Sequence, residues 1–88
     1  MTDGPIWYLD VAYNVSDVAS EEEHIVDAVS GCNGFLHMAT LTTDDIRELT
    51  FEFLDEASAL FAQQRVFSVM AQHGITLLNI AALPGPPK

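Results

Sequence analysis

The sequence predicts one α+β domain with the element order strand, helix, strand, strand, helix, strand, folded as a four-stranded antiparallel sheet with two helices on one face. Three observations carry this expectation. Apolar and polar residues alternate with a period of two in the first and third strand segments, the pattern of strands with one buried face. Two segments with helical spacing, each with a capping residue at its start and a glycine at its end, separate the strands. Finally, 88 residues with 49% hydrophobic content are enough to close a single core without disulfides or metal.

From Ile6 to Val15, the set Trp7, Leu9, Val11, Tyr13 and Val15 alternates with Tyr8, Asp10, Ala12 and Asn14, and the Trp7 set is expected to face the core. Ser16 and Asp17 offer a helix cap, and Ser20 with Glu23 offers a second, capping-box start. Val18, Ile25, Ala28 and Val29 form the inward stripe, and Gly31 closes the helix. Phe35 to Leu41 reads as the second strand, with its facing open because Phe35/Ala39/Leu41 and Leu36/Met38 are both apolar sets. After the polar turn Thr42-Thr43-Asp44-Asp45, Leu49, Phe51 and Phe53 alternate with Glu48, Thr50 and Glu52. A single long helix from Thr43 through His73 competes here, since Ile46, Leu49, Phe53 and Ala57 also fit helical spacing, but Phe and Thr at alternating positions favour the strand.

The second helix is expected from about Asp55 to His73, with Gly74 as its stop. Its apolar residues, Ala59, Leu60, Ala62, Val66, Phe67, Val69, Met70 and Ala71, cover an arc wider than an ordinary surface helix needs. That helix is expected to touch the first helix as well as the sheet, or else to offer a partner groove. Ile75 to Leu83 is apolar at nearly every position, as in a strand covered on both faces. Residues 1–83 are thus the domain, and the proline-rich residues 84–88 a flexible tail.

This order resembles the ferredoxin-like split βαβ arrangement over residues 6–83. Arg47 to Phe53, followed by a long helix and His73-Gly74-Ile75, is similar to what small regulatory domains and dimeric α+β barrel domains of that class show. The resemblance implies a fold and no particular activity.

Charge points further towards function. Thirteen acidic residues stand against three basic ones, for a net charge of −10, and every Asp and Glu falls before Ala57. Such a balance disfavours nucleic acid or an anionic membrane as direct partner and favours a basic protein surface or a cation. Right-handed crossovers with strand order 4-1-3-2 bring Asp17, Glu21, Glu22 and Glu23 towards Asp44, Asp45 and Glu48. These seven are the candidate partner-binding residues, as acceptors for Arg and Lys. A short, acidic, single domain without catalytic motifs resembles small phage-encoded inhibitors, anti-CRISPR proteins among them. That resemblance implies a DNA or RNA mimic whose carboxylates replace phosphates in the basic channel of a nucleic-acid-binding protein.

Other chemistry finds little support. His24, His37, His73, Cys32 and Met38 are the metal candidates, but one Glu-x-x-His spacing, Glu21 to His24, does not make a di-iron site, and no paired cysteines suggest zinc. Cys32 has no base beside it in sequence, His37 reads as a buried, hydrogen-bonded side chain if Phe35 points inward, and glycine-rich phosphate loops are absent. No catalytic residue, metal or cofactor is expected, and the chain reads as a non-enzyme. The lone cysteine, the absence of a signal-like start and the short apolar runs point to the cytoplasm. The open face of the sheet is expected to carry Tyr8, Met38, Leu78 and Ile80, an apolar patch suited to a homodimer seam. The alternative function follows from that patch: a regulatory homodimer binding a small molecule there, or a barrel enzyme in which His37 is the visible polar group.

Overall fold

The computed structural model describes residues 6–85. It contains β1 (Trp7–Asn14), α1 (Val18–Ser30), β2 (Phe35–Leu41), β3 (Ile46–Phe53), α2 (Glu56–Gln72) and β4 (Thr76–Pro84). All three strand pairings are antiparallel and the sheet order is β2-β3-β1-β4, so the ferredoxin-like expectation and the 4-1-3-2 order hold. Ile46 to Phe53 is a strand and not the front of a longer helix. Each of its apolar residues from Leu49 onward lands on the helix side, opposite Val11, Leu9 and Trp7 of β1.

Both helices begin at aspartates. The Asp17 carboxylate accepts from the Ser20 amide at 3.4 Å, while Glu21 reaches back to accept from the amides of Ser16 (2.8 Å) and Asp17 (3.1 Å). The helix therefore starts at the first of the two caps offered by the sequence, and Ser20 lies inside it. Asp55 caps α2 by accepting from the Ser58 amide at 2.7 Å, which lowers the pKa of its carboxyl. At the far end of α2, Gly74 takes a φ of +67°, where a Cβ would be strained.

Leu9, Val11 and Tyr13 of β1, Leu49, Phe51 and Phe53 of β3, Ile25, Ala28 and Val29 of α1, and Ala59, Ala62, Val66 and Met70 of α2 make one buried cluster. The side chain of Val18 lies outside the described residues. α2 covers β1 and β4 and packs along α1, which lies over β2. Only part of its apolar arc is used: Leu60, Phe61 and Phe67 remain exposed. Pro84 is the last residue of an edge strand, a tolerated position for proline, and the Gly85 amide still donates to the Ile6 carbonyl at 2.6 Å. The rest of the expected tail, residues 86–88, lies outside the described residues.

Two bulges decide which side chains face which way. In β2, Leu36 pairs with Phe51 and Met38 with Thr50, leaving His37 without a partner residue. In β4, Leu77 pairs with Tyr13 and Asn79 with Ala12, leaving Leu78 unpaired. An unpaired residue reverses the alternation beyond it. Ile80 and Ala82 therefore sit opposite Val11 and Leu9 on the helix side, and Asn79, Ala81 and Leu83 take the open face. This corrects the expected seam: Ile80 is half-buried against the core, not on the open face. It also corrects the reading of β4 as covered on both faces, since Leu78 and Leu83 are exposed on a strand at the sheet edge.

Candidate functional site

The open face of the sheet has an acidic centre on β1 and β3, flanked by the apolar residues Phe35 and Met38 of β2, Tyr8 of β1 and Leu83 of β4. Asp10 on β1 stands opposite Thr50 on β3, whose hydroxyl donates to it at 2.9 Å, and Glu48 and Glu52 project from the same side of β3 on either flank of Thr50. Diagonal neighbours in such a ladder lie about 7–8 Å apart, so Asp10, Glu48 and Glu52 form a compact array. Thr40 of β2 offers its hydroxyl to Glu48 at 3.5 Å. His37, pushed out by its bulge, places Nδ1 3.4 Å from Glu52 Oε1, with its ring centroid 5.3 Å from that of Tyr8. His37 is thus exposed on the open face, not buried as the sequence suggested.

Among the described residues the only Lys or Arg side chains are Arg47 and Arg65, and neither belongs to this face. Arg47 points to the helix side, where its Nε and Nη2 donate to one oxygen of Glu22 at 3.1 and 2.6 Å. Arg65 lies on α2.

The seven expected partner-binding acids are placed as follows. Asp17 and Glu21 close the N-terminus of α1. Glu22 is a correction: it is half-buried and taken by Arg47, because the crossover lays α1 across the end of β3. Glu23, Asp44 and Asp45 are exposed. Asp45 has a φ of +60° in the β2–β3 turn, and its carbonyl accepts from the Val15 amide at 2.8 Å, so the turn does meet the approach to α1. Glu48 stands on the open face, apart from the α1 acids. Asp10 and Glu52 lie outside the expected set, yet both occupy the polar phase of their strands, which is the sequence signal that marks them.

Beneath the Glu22–Arg47 pair lies Tyr13, fully buried, with no hydrogen-bond partner for its hydroxyl among the described residues. Burial, reinforced by the negative charge of Glu22 and opposed by Arg47, pushes its phenol up to about 12 from 10.0. Below pH 10 the phenol is protonated in both folded and unfolded chains. Above it the unfolded chain releases its proton first, so stability should fall as pH rises from 10.0 towards 12. Urea midpoints across this range should show that decline in the wild type and a flatter profile in Tyr13→Phe. At neutral pH the substitution should be neutral or slightly stabilising, since it removes an unpaired buried hydroxyl.

Of the metal candidates, His24 and His73 come together, though as stacked rings, with centroids 3.8 Å apart and planes 11° from parallel, a meeting of α1 with the end of α2 that no spacing in the sequence announces. Among the described residues no group of three or more His, Cys, Asp or Glu side chains is placed to hold a metal ion. Cys32 is buried, its thiol directed at the Ala28 carbonyl at 3.5 Å. No helix among the described residues is long and apolar enough to cross a membrane.

No protein-family model matches the chain, and no curated protein matches it significantly. Among solved structures it is similar to the solution structure of the C-terminal domain of the MgtC protein from Mycobacterium tuberculosis, with 16% identity, a TM-score of 0.61, and coverage of 97% of this chain and 92% of that one. At that identity the likeness shows the fold alone: a small α+β domain of ferredoxin-like arrangement.

Proposed function

We propose that this is a non-enzymatic, cytoplasmic interaction protein that inhibits or regulates a basic, nucleic-acid-binding protein by presenting its acidic sheet face. One observation carries the reading: Asp10, Glu48 and Glu52 rise together from a sheet face that, among the described residues, no helix covers and no Lys or Arg adjoins. Carboxylates held by hydroxyls on a rigid sheet keep free oxygen lone pairs for incoming guanidinium and ammonium groups. Glu23, Asp44 and Asp45 extend the negative potential at one end of the sheet, while Glu22 serves the fold.

The test is a pull-down from the source organism at low and high salt, followed by titration of the basic protein recovered. The triple variant Asp10→Asn, Glu48→Gln, Glu52→Gln should fold normally and bind about tenfold or more weakly at low salt, and wild-type affinity should fall as salt rises. Retention of no basic protein at low salt, or equal binding by the triple variant, would overturn the proposal.

A second reading, small-molecule binding on the same face, is favoured by an open hollow of about 360 Å³ lined by Tyr8, Asp10, His37, Thr50, Leu83, Pro84 and Gly85. It predicts ligand-induced stabilisation that Tyr8→Ala abolishes and that salt leaves unchanged.

A further inference from the structure

Among the described residues the outer edge of β4 is unguarded: β4 ends the sheet order, so along Thr76–Pro84 the edge facing away from β1 has no described strand beside it. Edge strands are ordinarily protected by charges, prolines, bulges or a covering element. Here the nine residues Thr-Leu-Leu-Asn-Ile-Ala-Ala-Leu-Pro contain no charge, and the one proline stands last. The bulge at Leu78 lies near the start, leaving Asn79 to Leu83 in unbroken register with Tyr8 to Ala12. The opposite edge, β2, is shorter, is broken in its middle by the His37 bulge, and leads into the acidic turn at Asp44 and Asp45.

The helix above β4 continues the same character. Leu60 and Phe67 of α2 are 44% and 59% exposed. With Gln63, Gln64, Ser68 and Ile80 they line an open groove of about 630 Å³ running between α2 and β4. This groove is the unused part of the α2 arc.

Charge selects the occupant. Every acid lies at or before Glu56, and beyond that residue only Arg65 and Lys88 are charged. Arg65 is turned towards Gly31 at the end of α1, away from the groove. For a chain of net charge −10, the β4–α2 flank is the surface on which a second copy can settle without bringing together carboxylates of the described residues. An antiparallel strand edge is also self-complementary about a twofold axis, so the contact closes as a dimer.

We propose that the protein forms a twofold homodimer by antiparallel pairing of β4 with β4 of a second copy, making one continuous sheet with the two α2 helices flanking the seam and Leu60 and Phe67 packed across it. The seam leaves Asp10, Glu48 and Glu52 uncovered on both copies, so it is independent of the partner-binding reading above.

Sedimentation equilibrium of the full chain into the high micromolar range is the test, with circular dichroism to confirm folding. The wild type should be dimeric, and added salt should hold or tighten the dimer by screening the remaining acids, the reverse of its effect on a basic partner. Phe67→Asp should weaken dimerisation by at least about tenfold, as expected for an aromatic anchor at a seam. Leu60→Lys serves as a second variant at the same site. Phe35→Asp, on the β2 edge and 65% exposed, should leave the dimer intact. A wild type that stays monomeric throughout, or a dimer broken by Phe35→Asp and not by Phe67→Asp or Leu60→Lys, would overturn the proposal.

Discussion

Gly34→Val is expected to leave the chain without a stable native core. Gly34 is buried where the chain leaves α1 for β2, and a Cβ there would come within 2.5 Å of the Phe53 ring and 2.5 Å of Val29 Cγ1. Neither neighbour can retreat, since Phe53 is 0% and Val29 1% exposed and both are enclosed by the core. Forcing one extra carbon into such a site typically costs about 1–3 kcal/mol, so Gly34→Ala should fold with a lowered urea midpoint. Valine adds two further methyls to the same space. Against a total stability of roughly 5–15 kcal/mol, its cost should leave much of the population unfolded by circular dichroism at ambient temperature. An alanine variant with the wild-type midpoint would show that the helix–strand junction is looser than its geometry states.

Phe51→Ala should be nearly as damaging for the opposite reason. Phe51 lies in β3 with a strand on either side, pairing with Leu9 and Leu36, and is 0% exposed. Truncating a buried phenylalanine typically costs about 3–5 kcal/mol, through lost burial and a cavity that the surrounding side chains fill only in part. Phe51→Leu keeps most of the volume and should cost much less. Thermal or urea unfolding of both variants checks the order. Similar losses in the two would mean that the site collapses around the missing ring.

The sequence was most readable where local chemistry and tertiary burial agree. Trp7 to Tyr13 and Leu49 to Phe53 alternate cleanly, and the sheet buries the phase that the alternation nominates. Asp55 and Gly74 mark the limits of α2 by capping and by a left-handed backbone, both local requirements. The strands that misled are those in which both phases are apolar, β2 and β4. Their facing is set by single unpaired residues, and a bulge follows from how a strand meets its neighbour, which leaves no mark in composition. The candidate site suffered accordingly. Asp10 and Glu52 were visible in the polar phase, but the apolar seam assigned to the same face through Ile80 hid their significance. The fate of Glu22 was hidden as well, because its partner Arg47 stands 25 positions away, joined to it only by the crossover.

The bulge at Leu78 makes surface character depend on pairing register as well as on residue type. A homologue lacking Leu78 would keep Asn79 opposite Ala12 and Ile80 opposite Val11 with no bulge at all, whereas pairing Leu78 with Ala12 would place Asn79 opposite Val11 beneath α2 and turn Ile80 and Ala82 out to solvent. In that unbulged register the open face would gain a greasy stripe and the helix would sit on an amide. The looped-out residue is therefore what lets one apolar strand present an amide to the open face and an isoleucine to the helix, and closing the bulge at constant length would exchange the two.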